Sequence, residues 1–226
     1  MVINIYKEKD WTSFDVVAKV RGILKKKSGC KVKVGHAGTL DPLAEGVLLI
    51  LTDEDTKRQP EFMAMEKEYE CEISFGAISP TYDLEGELTY FDIPEDLDVE
   101  KELEKLFPKY TGDIEQKVPP YSAVKVGGKP LYKKARQGKI STDQLPRKKI
   151  TIRNIEKLDF YLKNKLPTVK LHINCGKGTY IRSLAHNLGE ELGIGGVLTE
   201  LTRTKVGKYT SREAIKISAL EKKLKM

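Results

Sequence analysis

Hydrophobic positions along the chain repeat with two different periods. Val16, Val17, Val20, Ile23 and Leu24 recur at the spacing of one helix face. They follow Thr12-Ser13-Phe14-Asp15, a capping-box pattern, and run into Lys25, Lys26 and Lys27, whose charge suits a helix C-terminus. The pattern predicts a surface helix with one buried stripe. Tyr69, Cys71, Ile73 and Phe75 instead alternate with Glu68, Glu70, Glu72 and Ser74, a period of two that predicts a half-buried strand ending at Gly76. A second such strand is expected where Val169, Leu171, Ile173 and Cys175 alternate with Lys170, His172 and Asn174. Ile181, Leu184, Ala185, Leu188 and Leu192 return to helical spacing, after a cap expected at Thr179 and before a stop at Gly193. Arg182 falls in the first turn of that helix, beside its buried stripe.

Strands and helices mix without a strict βαβ alternation, and alternating strands dominate. This points to an α+β domain with a mixed, mainly antiparallel sheet and flanking helices. At 226 residues, one domain spanning 1–226 is expected, and no internal repeat is visible. The longest apolar run, around Leu43 to Leu51, is interrupted by Glu45 and falls far short of the roughly 20 residues of a membrane span. Lys7, Glu8, Lys9 and Asp10 occupy the start without an apolar stretch behind them, so no secretory signal is expected and a cytoplasmic location is. Cys30, Cys71 and Cys175 are widely spaced and fit neither a disulfide framework nor a metal knuckle. His36, His172 and His186 lack the pairing of a helical zinc site, so no metal is expected.

Charge changes the picture. The formal net charge is +7, but residues 51–115 hold 20 acidic and 6 basic side chains, whereas residues 123–153 hold 10 basic and one acidic. A bipolar chain of this kind suits a polyanion on one face, because cations near phosphates release condensed counterions. The basic stretch from Ala123 to Arg153 contains Gly127, Gly128, Pro130, Gly138 and Pro146 and shows no sustained apolar period. It is expected to be a long loop or arm, and long loops in compact domains are usually functional.

The least generic stretch is Gly35-His36-Ala37-Gly38-Thr39-Leu40-Asp41-Pro42-Leu43-Ala44-Glu45-Gly46-Val47-Leu48. Because a residue before proline is pushed out of the α region, Asp41 should sit on extended or turn backbone, where its carboxylate can face a cleft. Gly176-Lys177-Gly178-Thr179 lies at a strand-to-helix junction, but its order is wrong for a P-loop. Its N–H groups and the helix N-terminus could still hold an RNA phosphate.

Taken together, the Gly35 to Leu48 run, Lys67-Glu68-Tyr69, Gly76 with Thr81, Asp83, Glu85 and Gly86, Pro119-Pro120-Tyr121-Ser122-Ala123-Val124-Lys125, Gly178 to Leu184, and Leu201 with Arg203-Thr204 and Gly207 resemble the TruB family of tRNA pseudouridine synthases. The resemblance runs from about residue 5 to residue 215. It implies the pseudouridine synthase fold and the isomerisation of uridine 55 in the tRNA T-loop, with base flipping and without cofactor or metal. Asp41 then matches the catalytic aspartate, which can attack ribose C1′, attack uracil C6 or take the 2′ proton. Arg182 matches its cationic partner. Tyr69 matches the tyrosine that stacks on the flipped base and assists proton removal from C5. His36 matches the histidine that enters the RNA where the base has left, and Tyr180 and Leu201 match residues lining the uracil pocket. The 123–153 stretch matches the RNA-gripping thumb loop, with Lys125, Lys129, Lys133, Lys134, Arg136, Lys139 and Arg147 as its cations. The implied partner is the T-arm of tRNA, bound by a monomer that touches no membrane.

The chain departs from the family in three places. Lys7-Glu8-Lys9-Asp10-Trp11-Thr12-Ser13 stands where Lys-Pro-x-Gly-x-[ST]-S is usual, which removes the Pro and Gly of a turn. Thr202 replaces a common arginine before Arg203, and no separate C-terminal PUA domain is expected. A tRNA-folding chaperone with little catalysis and a guide-RNA-dependent synthase are the alternative readings. The presence of Asp41 argues against the first, and the expected lack of a PUA domain against the second.

Overall fold

The computed structural model describes residues 1–225. In chain order it forms β1 (Val2–Lys7), α1 (Ser13–Ser28), β2 (Val34–Ala37), β3 (Glu45–Thr52), α2 (Gln59–Ala64) and β4 (Lys67–Phe75). Next come β5 (Ala77–Ile78), β6 (Thr89–Tyr90), α3 (Val99–Leu106), β7 (Gly112–Lys117), β8 (Lys125–Val126), β9 (Lys129–Pro130) and α4 (Leu131–Ala135). The long strands β10 (Arg147–Lys163) and β11 (Leu166–Cys175) lead to α5 (Ile181–Glu191), β12 (Gly196–Val206), β13 (Tyr209–Thr210), β14 (Ile215–Lys216) and α6 (Ile217–Lys225). Two compact units result, Met1–Glu70 with Leu201–Met226, and Cys71–Glu200. The sheet is mixed and mainly antiparallel, with β1–β14 and β3–β12 parallel and β1–β3, β2–β3, β7–β10, β10–β11 and β12–β13 antiparallel.

In the first unit, α1 starts as its sequence predicts. The Thr12 hydroxyl accepts the Asp15 N–H at 3.1 Å, and the Asp15 carboxylate accepts the Thr12 N–H at 2.9 Å. Gly29, at φ 69°, ends the helix by donating its N–H to Lys25 O. The Val16, Val17 and Val20 stripe packs on Ile3, Ile5, Leu48 and Ile50. Val47, Leu49 and Leu51 point the other way, into a layer with Ala37, Phe62 and Val206. Strand β3 is therefore covered on both faces, which explains an apolar run that does not alternate. Each such fully buried Leu or Ile contributes about 1.5–3 kcal/mol.

In the second unit, β10 serves two partners in turn. Its first part, Arg147 to Ile152, pairs with β7, and from Ile152 to Lys163 it pairs with β11. Helix α5 approaches the start of β12 with no side chain between them: a Cβ on Gly189 would lie 2.0 Å from Gly196 N. Only glycine permits that contact.

Three expectations need correction. The alternation of β4 holds only through Glu70, because Glu72 and Ser74 are buried at 5% and 3% exposure. Both are satisfied. The Glu72 carboxylate accepts bonds from Lys163 Nζ at 2.6 Å, Thr199 Oγ1 at 2.6 Å and the Tyr161 hydroxyl, and Ser74 pairs with Thr168 at 2.9 Å. Thr179 does not cap α5. Tyr180 is the N-cap, and the Thr179 hydroxyl bonds back to Gly176 O at 3.1 Å. Finally, Arg147 to Arg153 is strand rather than loop. The rest of the arm is a β8–β9 hairpin and α4 gathered on a small core of Val118, Leu131 and Leu145 with Val124, Val126 and Ile140. Too few apolar residues are present to show a period, yet enough to bury one helix turn.

Burial alone would raise the Glu72 pKa, but the bonds from Lys163, Thr199 and Tyr161 outweigh it and hold the carboxyl below its usual range. Stability from a depressed carboxyl is present above its unfolded pKa, about 4.3, and is lost as pH falls through the native value. Glu72→Gln removes that titration. In urea unfolding, the stability gap between wild type and variant should therefore close as pH drops from about 5 to about 3. A gap that stays constant would show that Glu72 is not ionised in the native state.

Candidate active site

The site begins with the segment that joins β2 to β3. Asp41 is partly buried, sits on non-helical backbone before Pro42, and accepts the Ala44 N–H at 3.1 Å to open a tight turn. The residues around it are fastened from two sides. From β12, Arg203, 1% exposed, donates from Nε to Val47 O at 2.7 Å and through its two terminal nitrogens to Gly38 O at 3.0 Å and Thr39 O at 3.4 Å. This fork requires close passage of the strands. A Cβ on Gly46, at φ 102°, would fall 2.2 Å from Arg203 O.

From β1, Lys7 is fully buried and donates to Trp11 O at 2.6 Å, Glu8 O at 3.1 Å and Pro42 O at 3.4 Å. The Asp10 N–H also reaches Pro42 O, at 2.9 Å, and Ser13 Oγ both accepts the Leu40 N–H at 2.8 Å and donates to Leu40 O at 2.9 Å. The turn survives without its usual glycine because Asp10 takes the left-handed conformation, φ 68°, which aspartate adopts more readily than most residues. Thr202, where an arginine is common, bonds Glu45 at 3.3 Å.

Lys7 and Arg203 carry the loop, and reading the sequence for chemistry passed over both roles. A signal existed for Lys7. In Val2–Lys7 the inward positions are Ile3, Ile5 and Lys7, so strict alternation points the lysine into the core. Burial lowers its pKa to about 8, against the opposing pull of the carboxylates of Asp41, Asp10 and Glu45.

Of the residues singled out by sequence, His36, Asp41, Tyr69 and Leu201 belong to the first unit, and Tyr180, Arg182 and the arm to the second. The His36 imidazole is pushed below its usual pKa by burial and then by the Arg203 charge, so at neutral pH it is an uncharged ring. Its carbonyl accepts Gln59 Nε2 at 2.7 Å. Tyr69 on β4 and Leu201 on β12 are both buried. Arg182 is no solvated helix residue: at 5% exposure it donates to Thr81 O at 2.9 Å and Tyr121 O at 3.2 Å and lies 3.4 Å from the buried Asp83 carboxylate. The motif residues Thr81, Asp83 and Tyr121 thus hold one rigid guanidinium. The main chain of Tyr180 is gripped at both ends by Gln116, at 2.8 Å and 3.0 Å, and its ring packs on the small core of the arm.

The arm cations contrast with two paired lysines of the same unit. Lys157 pairs with Glu100 and Glu104, and Lys163 with Glu72 and Glu200. Among the described residues, Lys125, Lys129, Lys133, Lys134, Arg136, Lys139 and Arg147 have no carboxylate partner, and all but the half-buried Lys134 are exposed. Arg136 lies over the Tyr132 ring at 5.7 Å. Among the described residues, no group of His, Cys, Asp and Glu is placed to hold a metal ion.

Comparison with known proteins follows the same lines. Residues 21–181 match the TruB family pseudouridylate synthase N-terminal domain, and residues 182–226 match the tRNA pseudouridylate synthase B C-terminal domain. The chain is 41% identical to a tRNA pseudouridine synthase B of Chloroherpeton thalassium, over 95% of this chain and 86% of that protein. It is 44% identical to that of Bacteroides thetaiotaomicron, over 91% and 85%. Among solved structures, the Cbf5 complex with Nop10 and Gar1 aligns with a TM-score of 0.69 at 27% identity, covering 98% of this chain. The chain spans about half, 53%, of the solved chain it matches there.

Lys7 generates a test. Its native pKa of about 8 lies below the ordinary lysine value, about 10.4, so between them the unfolded chain binds more protons and the native state gains stability as pH rises. The stability of wild type relative to Lys7→Met should therefore increase from about pH 8 to about pH 10. A flat difference across that range would mean that Lys7 titrates as an ordinary surface lysine.

Proposed function

The chain belongs to the TruB family of pseudouridylate synthases, and from that membership we propose that it converts uridine 55 in the T-loop of tRNA to pseudouridine, unaided by a guide RNA. The reaction breaks the bond from ribose C1′ to uracil N1, turns the base and rejoins it through C5, with the C5 proton leaving. The observation that carries the reading is the fastening of Gly38, Thr39, Leu40 and Pro42 around Asp41. A group that must meet a reacting atom benefits from a backbone that does not reorganise at that moment.

Asp41 supplies the carboxylate that opens the glycosidic bond. Arg182 supplies the opposing cation. Its guanidinium is held by the carbonyls of Thr81 and Tyr121 beside Asp83, which gives it a set orientation that a flexible lysine would not keep. Tyr69 stacks on the flipped base and assists loss of the C5 proton, and Tyr180 and Leu201 line the base. The uncharged His36 ring fills the space left in the RNA, where a good aromatic stack returns about 1–3 kcal/mol of the cost of flipping. The seven unpaired arm cations hold T-arm phosphates.

A guide-dependent activity is the second reading, for which the one observation is a likeness to an H/ACA RNP bound to a substrate RNA, but at 25% identity that likeness is weaker than the 41–44% shared with the tRNA enzymes. A bare T-arm hairpin separates the two readings, since conversion by the purified protein alone excludes a guide. On that hairpin, Asp41→Asn should abolish pseudouridine formation, read by chemical mapping, and leave binding nearly unchanged. Residual conversion at an appreciable rate would remove Asp41 from its role. Neutralising Lys133 and Lys134 should lower the salt slope of binding by roughly one unit per lost phosphate contact, and an unchanged slope would take the arm off the phosphates.

A further inference from the structure

Residues 25–33 hold five lysines, Lys25, Lys26, Lys27, Lys31 and Lys33, and no acid. All five are exposed, and among the described residues none has a carboxylate partner. Several other cations of the same unit are paired, Lys19 with Glu221, Lys57 with Glu54, Arg58 with Asp55 and Glu61, Lys205 with Glu68 and Lys216 with Glu8, whereas among the described residues Lys9, Lys208 and Arg212 stand singly without a carboxylate partner. Lys25, Lys26 and Lys27 complement the negative end of α1, which accounts for cations there. It does not account for Lys31 and Lys33, which lie beyond the helix.

The backbone between them is well anchored. Gly29 closes the helix, Ser28 Oγ bonds both the N–H and the carbonyl of Cys30 at 3.2 Å, and Val32 packs against the core cluster while Lys31 and Lys33 on either side of it stay exposed. Asp53, the acid at this turn, accepts the Lys33 N–H at 3.2 Å and donates its own N–H to Lys33 O at 2.8 Å. Five exposed lysines thus lie within nine residues of anchored backbone, with Asp53 the one acid bonded to that stretch, and such a concentration of positive charge favours a polyanion. Val34 and Gly35 alone separate Lys33 from His36.

We propose that Lys25, Lys26, Lys27, Lys31 and Lys33 form a second phosphate-contact ridge, carried by the first unit, for the RNA that the arm holds. The proposal rests on the function given above. It adds to that function a sequence-independent grip beside His36, distinct from the 123–153 arm, so that RNA affinity is divided between the two units.

Cys30 provides a direct probe, because it is exposed in the middle of the ridge whereas Cys71 and Cys175 are buried. A saturating T-arm hairpin, its binding followed by fluorescence anisotropy in the same samples, should slow alkylation of Cys30 by iodoacetamide several-fold. Replacing the five lysines by Gln should lower the salt slope of hairpin binding by roughly one unit per lost contact, and Lys101→Gln with Lys105→Gln and Lys109→Gln, in the acidic stretch, should leave it unchanged. If the hairpin binds wild type but the five-lysine variant keeps the full slope, or the control variant loses as much, the ridge is overturned and the function stands. If Cys30 is alkylated at the same rate with and without bound RNA, the ridge is likewise overturned. If wild type neither binds nor converts the hairpin, the function itself falls.

Discussion

Two buried cations anchored on main-chain carbonyls are the constraint on which the rest depends. A lysine or arginine taken out of water is costly unless every strong donor finds a partner. Lys7 and Arg203 find theirs in the carbonyls of Glu8, Trp11, Pro42, Gly38, Thr39 and Val47. The dependence is mutual. The loop keeps its shape because the cations need its carbonyls, and the cations stay buried because the loop offers them. Asp41 sits inside that loop and inherits its order.

The same accounting sorts the rest of the charge. Some cations of the fold are matched, as Lys163 is to Glu72 and Arg182 to Asp83, and those matches hold local backbone in place. Among the described residues, Lys125, Lys129, Lys133, Lys134, Arg136, Lys139 and Arg147 of the arm and the five lysines of the ridge have no carboxylate partner, and all but the half-buried Lys134 are exposed. Matched charge is screened within the protein, whereas unmatched charge is available to a polyanion and sensitive to salt. The net +7 is therefore a poor summary. What bears on RNA is where the unmatched part lies.

Much of the framework was legible from pattern. The stripe from Val16 to Leu24, the Thr12 cap, the alternation of Val169 to Cys175 and the inward face of α5 are local, because each side chain's direction follows from the period of its own element. The misreadings share one cause. Glu72 and Ser74 lie on the alternating polar face yet are buried, because alternation tells which way a side chain points and not what covers it. Thr179 lost the cap of α5 because Gln116, 64 residues from Tyr180, holds the first turn instead. Arg147 to Arg153 joined β10 because β7 supplied a partner strand, an event with no trace in the local sequence.

The candidate site divides along the same line. Sequence alone determined which groups could react: an aspartate denied the helix by Pro42, a histidine between glycines, a tyrosine on an inward strand face, and a basic arm. Those follow from covalent structure and local sterics. Tertiary structure decided which charges are buried and what they hold. It turned Arg182 into a fixed guanidinium, let Asp10 stand in for a glycine, and made structural cations of Lys7 and Arg203. Burial depends on partners distant in the chain, and only the assembled fold brings them within hydrogen-bonding distance.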